Sequence, residues 1–254
     1  MPATEASGAR SPVTVVTGGG SGIGRATGIA LARIGHHVVF CGRTRAALEE
    51  SVGLAGSGAI AVLDVTDEAA VELFFGGLVD QLGRIDTLIN SAGVFGVQQP
   101  VTHTTLADWS QTMTVNVTGT FLCARTAMRS MAAQSPRGGR IVNIGSVSAQ
   151  TPRPHAAAYT ASKHAITGLT RSLALDGRDL DIAVGQIDVG NASTSMTAVH
   201  EVGALQPDGT RRAEPTIDVA HVASTIAHIV TLPTSVSVPF LTIMATGMPF
   251  MGRG

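Results

Sequence analysis

The sequence predicts a single-domain α/β fold: a doubly wound, mostly parallel sheet of seven strands with helices on both faces. Three observations carry this. Short apolar, β-branched runs alternate with segments of helical period along the whole chain, which is the repeat of βαβ units. The 254 residues show no shift in composition and no linker that would divide them. With 44% hydrophobic and only 14% charged residues, and a mean hydropathy of +0.28, the chain can bury a large core without staples.

Taken in order, residues 1–11 are small and polar and read as a flexible tail, with the folded domain expected over 12–254. VTVVTG (13–18) is a buried strand ending in glycine. GIGRATGIALARIG (22–35) has helical period, with Ile23, Ala26, Ala30 and Ile34 on one side, and stops at Gly35. HVVFCG (37–42) is a second strand, 44–56 a helix capped by Thr44, and AIAVLDV (59–65) a third strand. Residues 66–83 form a helix with acids in its first turn, and IDTLIN (85–90) a fourth strand. A long helical region runs from Leu106 to Ala133. Asn116 is a poor residue for its interior, which points to a local distortion or a polar duty. GRIVNIGS (139–146) is a strand, Ala157 to Leu175 a helix and DIAVGQIDV (181–189) a strand. A helix over 216–232 and a last strand, FLTIMAT (240–246), complete the alternation. Residues 190–215 are rich in Gly, Ser, Thr and Pro and lack a period, so they read as a lid or binding loop. Met196, Val199, Val202 and Leu205 make that loop partly hydrophobic.

Composition narrows the functional classes. A formal net charge of −1 gives no general attraction to nucleic acid or to an anionic membrane. No apolar run approaches the roughly 18 residues of a membrane span. The start, MPATEASGARSP, has no apolar core behind basic residues, so a cytoplasmic protein is expected. Cys41 and Cys123 stand far apart and are expected to be buried, reduced thiols. No metal site is expected: the eight histidines include the pair His36 and His37, but no acid cluster accompanies them.

Two motifs carry chemistry. The first strand runs into TGGGSGIG (17–24) and then a helix. Glycine lets backbone approach a pyrophosphate closely, and a helix N-terminus offers free N–H groups. The second motif is YTASK (159–163), holding the only tyrosine and the only lysine of the chain. Residues four apart share a helix face, so Tyr159 and Lys163 point the same way. A phenol titrates near pH 10 and is a poor base at neutral pH, and an adjacent ammonium favours its phenolate.

With these motifs the chain resembles the short-chain dehydrogenase/reductase family over residues 12–254, which implies a Rossmann fold and hydride transfer with a nicotinamide cofactor. Gly18, Gly22 and Gly24 match the family's glycine motif, with Ser21 and Ile23 inside it. Asp64 and Val65 match the adenine site. NSAG matches the family's NNAG apart from Ser91, which assigns Asn90, Ala92 and Gly93 to the cofactor. Gly190, Ala192 and Thr194 match the loop that meets the nicotinamide carboxamide, although Val189 replaces the usual proline. The resemblance also implies a Ser-Tyr-Lys-Asn tetrad of Ser146, Tyr159, Lys163 and Asn116, with Asn116 holding a water. Gln150 and His155 are then candidates to touch the substrate, a ketone or alcohol.

At the end of the second strand, Gly42 stands where NAD-using relatives carry an acid, and Arg43 and Thr44 follow. A guanidinium clamps phosphate, which favours NADP(H), with NAD(H) kept as the alternative. Small residues at Ala161, Ala165, Gly168 and Ser172 form a ridge suited to close helix packing, and with the family's habits predict a homo-tetramer, or else a homo-dimer. A carbonyl reductase or secondary-alcohol dehydrogenase is the reading favoured. A 3-oxoacyl-carrier-protein reductase would need a basic docking patch, for which Arg211 and Arg212 are the candidates. A sensor that binds cofactor without chemistry would not need the tetrad.

Overall fold

Seven short apolar runs form the strands β1 (Val13–Thr17), β2 (His37–Gly42), β3 (Ala59–Val62), β4 (Thr87–Asn90), β5 (Gly139–Ile144), β6 (Ile182–Val189) and β7 (Phe240–Ile243). They belong to a computed structural model that describes residues 10–194 and 203–250. The strands join into one sheet in the order β3-β2-β1-β4-β5-β6-β7. Every pairing in it is parallel, so the sheet is wholly rather than mostly parallel. Parallel neighbours need crossovers, and helices supply them: α1 (Gly22–Arg33), α2 (Arg45–Ala55), α3 (Glu68–Leu82), α4 (Leu106–Met113), α5 (Gly119–Ala133), α6 (Ala157–Asp176) and α7 (Val219–Thr231).

Successive residues of a strand face opposite sides, and the core divides accordingly. Val15, Leu88 and Ile141 lie in one buried cluster with Phe75 and Leu122; Val16, Ile89 and Val142 lie in another with Leu31 and Ile226. Strand order reverses between β1 and β4, which opens a crevice at the carboxyl ends of the strands.

Several details differ from the sequence expectation. The buried face of α1 is Gly24, Thr27, Gly28 and Leu31, whereas Ile34 caps the helix and is 49% exposed. The two glycines let α1 settle onto the sheet, where a side chain at position 28 would run into the ring of Phe40. Thr44 occupies the N-cap of α2, but its side chain makes no capping bond. Strands β3, β4, β5 and β7 are shorter than read, so Asp64, Val65 and Ser146 sit in the loops that follow them. Between α4 and α5 the chain forms a π-helical turn, Thr114–Thr118, with Asn116 at its middle. Within 190–215, Ala192–Ser193 pairs with Ile217–Asp218, and Ala204–Leu205 pairs antiparallel with Arg211–Arg212. Met196, Val199 and Val202 lie outside the described residues. No described helix is long and apolar enough to cross a membrane. Cys41 and Cys123 are free and buried, and burial pushes the Cys123 thiol up to about 12.

Candidate active site

The glycine turn is built from both sides. At Gly18 the backbone takes φ +66°, and a Cβ would lie 2.9 Å from the Ala92 backbone. At Gly24 a Cβ would collide with the Gly18 carbonyl, so α1 can start directly under the turn only without one. Helices α2 and α1 hold the turn from outside: Ser51 Oγ of α2 donates to the Gly19 carbonyl (2.8 Å), and Arg25 Nη2 of α1 to the Gly20 carbonyl (2.5 Å). Arg25 is itself fixed by Ser51 Oγ (3.0 Å) and by Glu50 (2.7 Å). Ser21, the N-cap of α1, makes no side-chain capping bond, and Gly22 and Ile23 at the start of the helix line the crevice. Thr17 Oγ1 accepts from the amides of Ser91 (3.0 Å) and Ala92 (3.1 Å), tying the end of β4 to β1.

Two adjoining clefts run along the carboxyl edge of the sheet and share Gly18, Ser21 and Gly93. The first is open to solvent and spans about 1030 Å³. Gly22 and Ile23 line one wall, Ser146, Tyr159 and Lys163 another, and Gly190, Ala192 and Thr194 a third. The second, about 770 Å³, has Gly42, Arg43, Thr44, Asp64, Val65 and Ala92 on its walls. Gly24 and Asn90 stand behind these walls; Asn90 is buried and donates to Asn143 Oδ1 at 3.0 Å. Gln150 and His155 line neither cleft. Gln150 turns toward Asp188, 3.4 Å away. His155 is exposed at φ +62°, and its carbonyl accepts from the Gln99 amide (3.1 Å).

Around the first cleft, Tyr159 stacks on Phe95, with ring centroids 4.3 Å apart and planes 16° from parallel. Burial pushes the Tyr159 phenol above its ordinary value, with a hydrogen bond from Ser146 and the charge of Arg153 pulling the other way. Lys163 lies beneath it, with Nζ 5.6 Å from the tyrosine ring centroid and donating to the Ile144 carbonyl at 2.8 Å. Burial brings the Lys163 ammonium down to about 8, with Asp188 opposing the fall. Ser146 caps a short 3₁₀ turn and accepts from the Ser148 amide at 3.1 Å. The Asn116 side chain is 2% exposed and staples the loop after β4 to α6. It accepts from the Val94 amide (2.8 Å) and donates to the Val94 carbonyl (2.9 Å) and to Ser162 Oγ (3.0 Å).

In the second cleft, Arg43 is exposed, and no hydrogen bond or ion pair holds its guanidinium among the described residues. Asp64 Oδ1 accepts from Thr66 N (3.0 Å) and Oγ1 (2.7 Å); these bonds, and to a lesser degree Arg43, keep its carboxyl below the usual range.

The sequence reading passed over four groups at the first cleft. Phe95 and Asn191 line it, and Asp188 lies just behind Ser146. Arg153 lines it too and forms a buried ion pair with Glu214; the side chains are 9% and 3% exposed. Asn191 Nδ2 and Gln206 Nε2 each donate to Glu214 at 2.8 Å, which helps hold its carboxyl down at about 2 against the upward effect of burial. A lone Arg in TPRPH, between the expected serine and tyrosine, was the one available signal.

Comparison with known proteins identifies the family. The family model described as short chain dehydrogenase matches residues 12–202. A 3beta-hydroxysteroid dehydrogenase of Mediterraneibacter gnavus is 36% identical over 192 residues, covering 73% of this chain and 67% of that protein. A solved xylitol dehydrogenase with NAD+ bound superposes with a TM-score of 0.82 at 29% identity, over 92% of this chain and 97% of the other. A solved serine dehydrogenase complexed with NADP+ gives 0.84 at 26%, over 95% and 98%. The chain belongs to the short-chain dehydrogenase family and is a nicotinamide-dependent oxidoreductase acting on hydroxyl and carbonyl groups.

Proposed function

We propose that the chain is an NADP(H)-dependent carbonyl reductase or secondary-alcohol dehydrogenase acting through Ser146, Tyr159 and Lys163, with Asn116 in support. The observation that carries this reading is a single cleft whose walls include both the glycine turn and these three side chains. The residues fit a dinucleotide: Gly18, Ser21, Gly22, Ile23 and Gly24 shape a site for pyrophosphate, and Asp64 and Val65 flank an adenine. Ala92 and Gly93 form the floor, backed by the buried Asn90, with Gly190, Ala192 and Thr194 beside the nicotinamide end. Bound there, the cofactor supplies or accepts the hydride.

The chain's own groups handle the oxygen. The Ser146 hydroxyl donates to the substrate carbonyl oxygen and orients it. The Tyr159 phenol gives its proton to that oxygen in reduction and takes it back in oxidation. Because burial raises the phenol, it stays protonated at neutral pH, which suits a general acid and supports the reductive direction. Lys163 holds the ribose and keeps positive charge below the ring. Asn116 fixes the π-turn and the loop after β4, so that the cleft keeps its shape.

Arg43, unpaired among the described residues at the rim of the second cleft and following Gly42 rather than an acid, supports NADP(H) over NAD(H). The carrier-protein alternative is less well supported. Arg212 is paired with Asp208 (2.7 Å) and Arg211 donates to the Gly203 carbonyl (3.2 Å), so much of that patch is engaged within its own hairpin. Titrating the protein with NADPH and NADH by fluorescence, beside Arg43→Asp, tests the preference. Tighter NADPH binding that is lost in the variant is expected; tighter NADH binding in the wild type would sink the Arg43 argument.

A further inference from the structure

Asp188 is 4% exposed near the carboxyl end of β6, directly behind Ser146. Its Oδ1 accepts from the Ser146 amide (3.0 Å) and from Gln186 Nε2 (2.6 Å), and its Oδ2 lies 3.4 Å from Gln150 Nε2. Gly145 makes the room: a Cβ there would collide with Asp188 Oδ1.

A buried polar row crosses the sheet and ends on this carboxylate. Asn90, Asn143 and Gln186 are register partners on β4, β5 and β6. Asn90 donates to Asn143 (3.0 Å), and Asn143 to Thr170 Oγ1 (2.9 Å). Thr170 Oγ1 lies 3.0 Å from Gln186 Oε1, and Gln186 donates to Asp188. Every member of the row except the last is neutral. A buried carboxylate is costly without a nearby opposite charge, even when hydrogen-bonded.

The countercharge is at hand. Lys163 is 8% exposed and donates to the Ile144 carbonyl, and Ile144 is the register partner of Ile187, the residue before Asp188. Among the described residues, Tyr159 of its own helix lies over Lys163, β5 presents a backbone carbonyl, and Asp188 on β6 acts on it as a negative charge from beyond ion-pair contact. Arg153 faces Tyr159 and is engaged by Glu214.

We propose that Asp188 is a positioning residue of the site: it seats Ser146 through the backbone amide and is the counter-ion that keeps Lys163 charged. This rests on the reading of Ser146, Tyr159 and Lys163 given above. The sign follows from the charges. Removing the carboxylate charge disfavours the ammonium, so the Lys163 midpoint falls and more of the lysine is neutral near pH 7.

Because Lys163 is the only lysine, protein carrying ¹³Cε-lysine gives one side-chain signal, and its titration reads this group without any turnover. In Asp188→Asn, which keeps an acceptor for the Ser146 amide, that midpoint is expected about one unit or more below the wild-type value of about 8. An unchanged midpoint overturns the proposal, yet leaves the oxidoreductase reading standing, since that reading depends on turnover lost in a Tyr159 variant. Should Asp188→Asn alone not fold, the same change is made in a Lys163→Met background, where the carboxylate has lost its partner. A higher denaturant midpoint for the double variant than for Lys163→Met supports the pairing; an equal or lower midpoint overturns it.

Discussion

At the scale of the residue, the proposed chemistry concentrates on one tyrosine and one lysine. Tyr159 is the only phenol, so phenolate absorbance in the near ultraviolet reads it alone. Burial raises it, so the ligand-free protein is expected to form phenolate above pH 10, the ordinary midpoint; a midpoint well below that would contradict the buried setting. Lys163 titrates in the opposite sense. Its folded midpoint of about 8 lies below the ordinary 10.5, so the folded state releases its proton first. Stability is therefore expected to rise with pH between these values, by a contribution that Lys163→Met abolishes, as chemical denaturation at a series of pH values would show. The spacing of these two residues was legible because a helix repeats every 3.6 residues and makes positions four apart neighbours. Asp188 was not legible: it sits inside a mostly apolar run, and the Ser146 amide it accepts from belongs to the loop after β5, which no local pattern joins to β6.

At the scale of the element, the ion pair between Arg153 and Glu214 joins the loop before α6 to the stretch just after the hairpin of the 190–215 segment. The partners are 61 residues apart in sequence, so only the fold reveals them. Arg153→Met takes the cation away from a buried carboxylate and is expected to cost about 3–5 kcal/mol of stability. Glu214 is held at about 2 against an ordinary 4.5, so its stabilising contribution is complete above pH 4.5 and is lost as pH falls toward 2. Acid unfolding of Glu214→Gln is therefore expected to be flatter over that window than that of the wild type. The glycine turn makes a parallel case. Its spacing identified it, but the clamp by Ser51 and Arg25 depends on α2 folding back over it. The buried face of α1 was misread for a related reason: Gly24 and Gly28 carry no hydropathy, and their value lies in what they leave out. In the π-turn, Asn116 did betray a distortion, whereas the kind of distortion depends on its bonds to Val94 and Ser162.

At the scale of the molecule, alternating period was enough to foresee the layers, because a parallel sheet with helices on both faces is what βαβ repeats build. The outer surface leaves a further expectation open to test. Ala161 and Ala165 are half-buried on α6, and Gly168 and Ser172 are exposed, so the ridge of small residues is free on its outer side. A homo-tetramer or homo-dimer assembled on this ridge is expected by light scattering; Gly168→Arg would then shift the population toward monomer, and a monomeric wild type would refute it. Tyr159, within the cleft proposed for the nicotinamide cofactor, is proposed to move the proton in carbonyl reduction. The most direct test is NADPH-dependent reduction of a panel of small ketones by wild type and Tyr159→Phe, with cofactor binding measured on both. Turnover should fall by about 10²–10⁴-fold in the variant while the affinity for NADPH stays the same. A variant that reduces ketones as fast as the wild type would contradict this role for Tyr159.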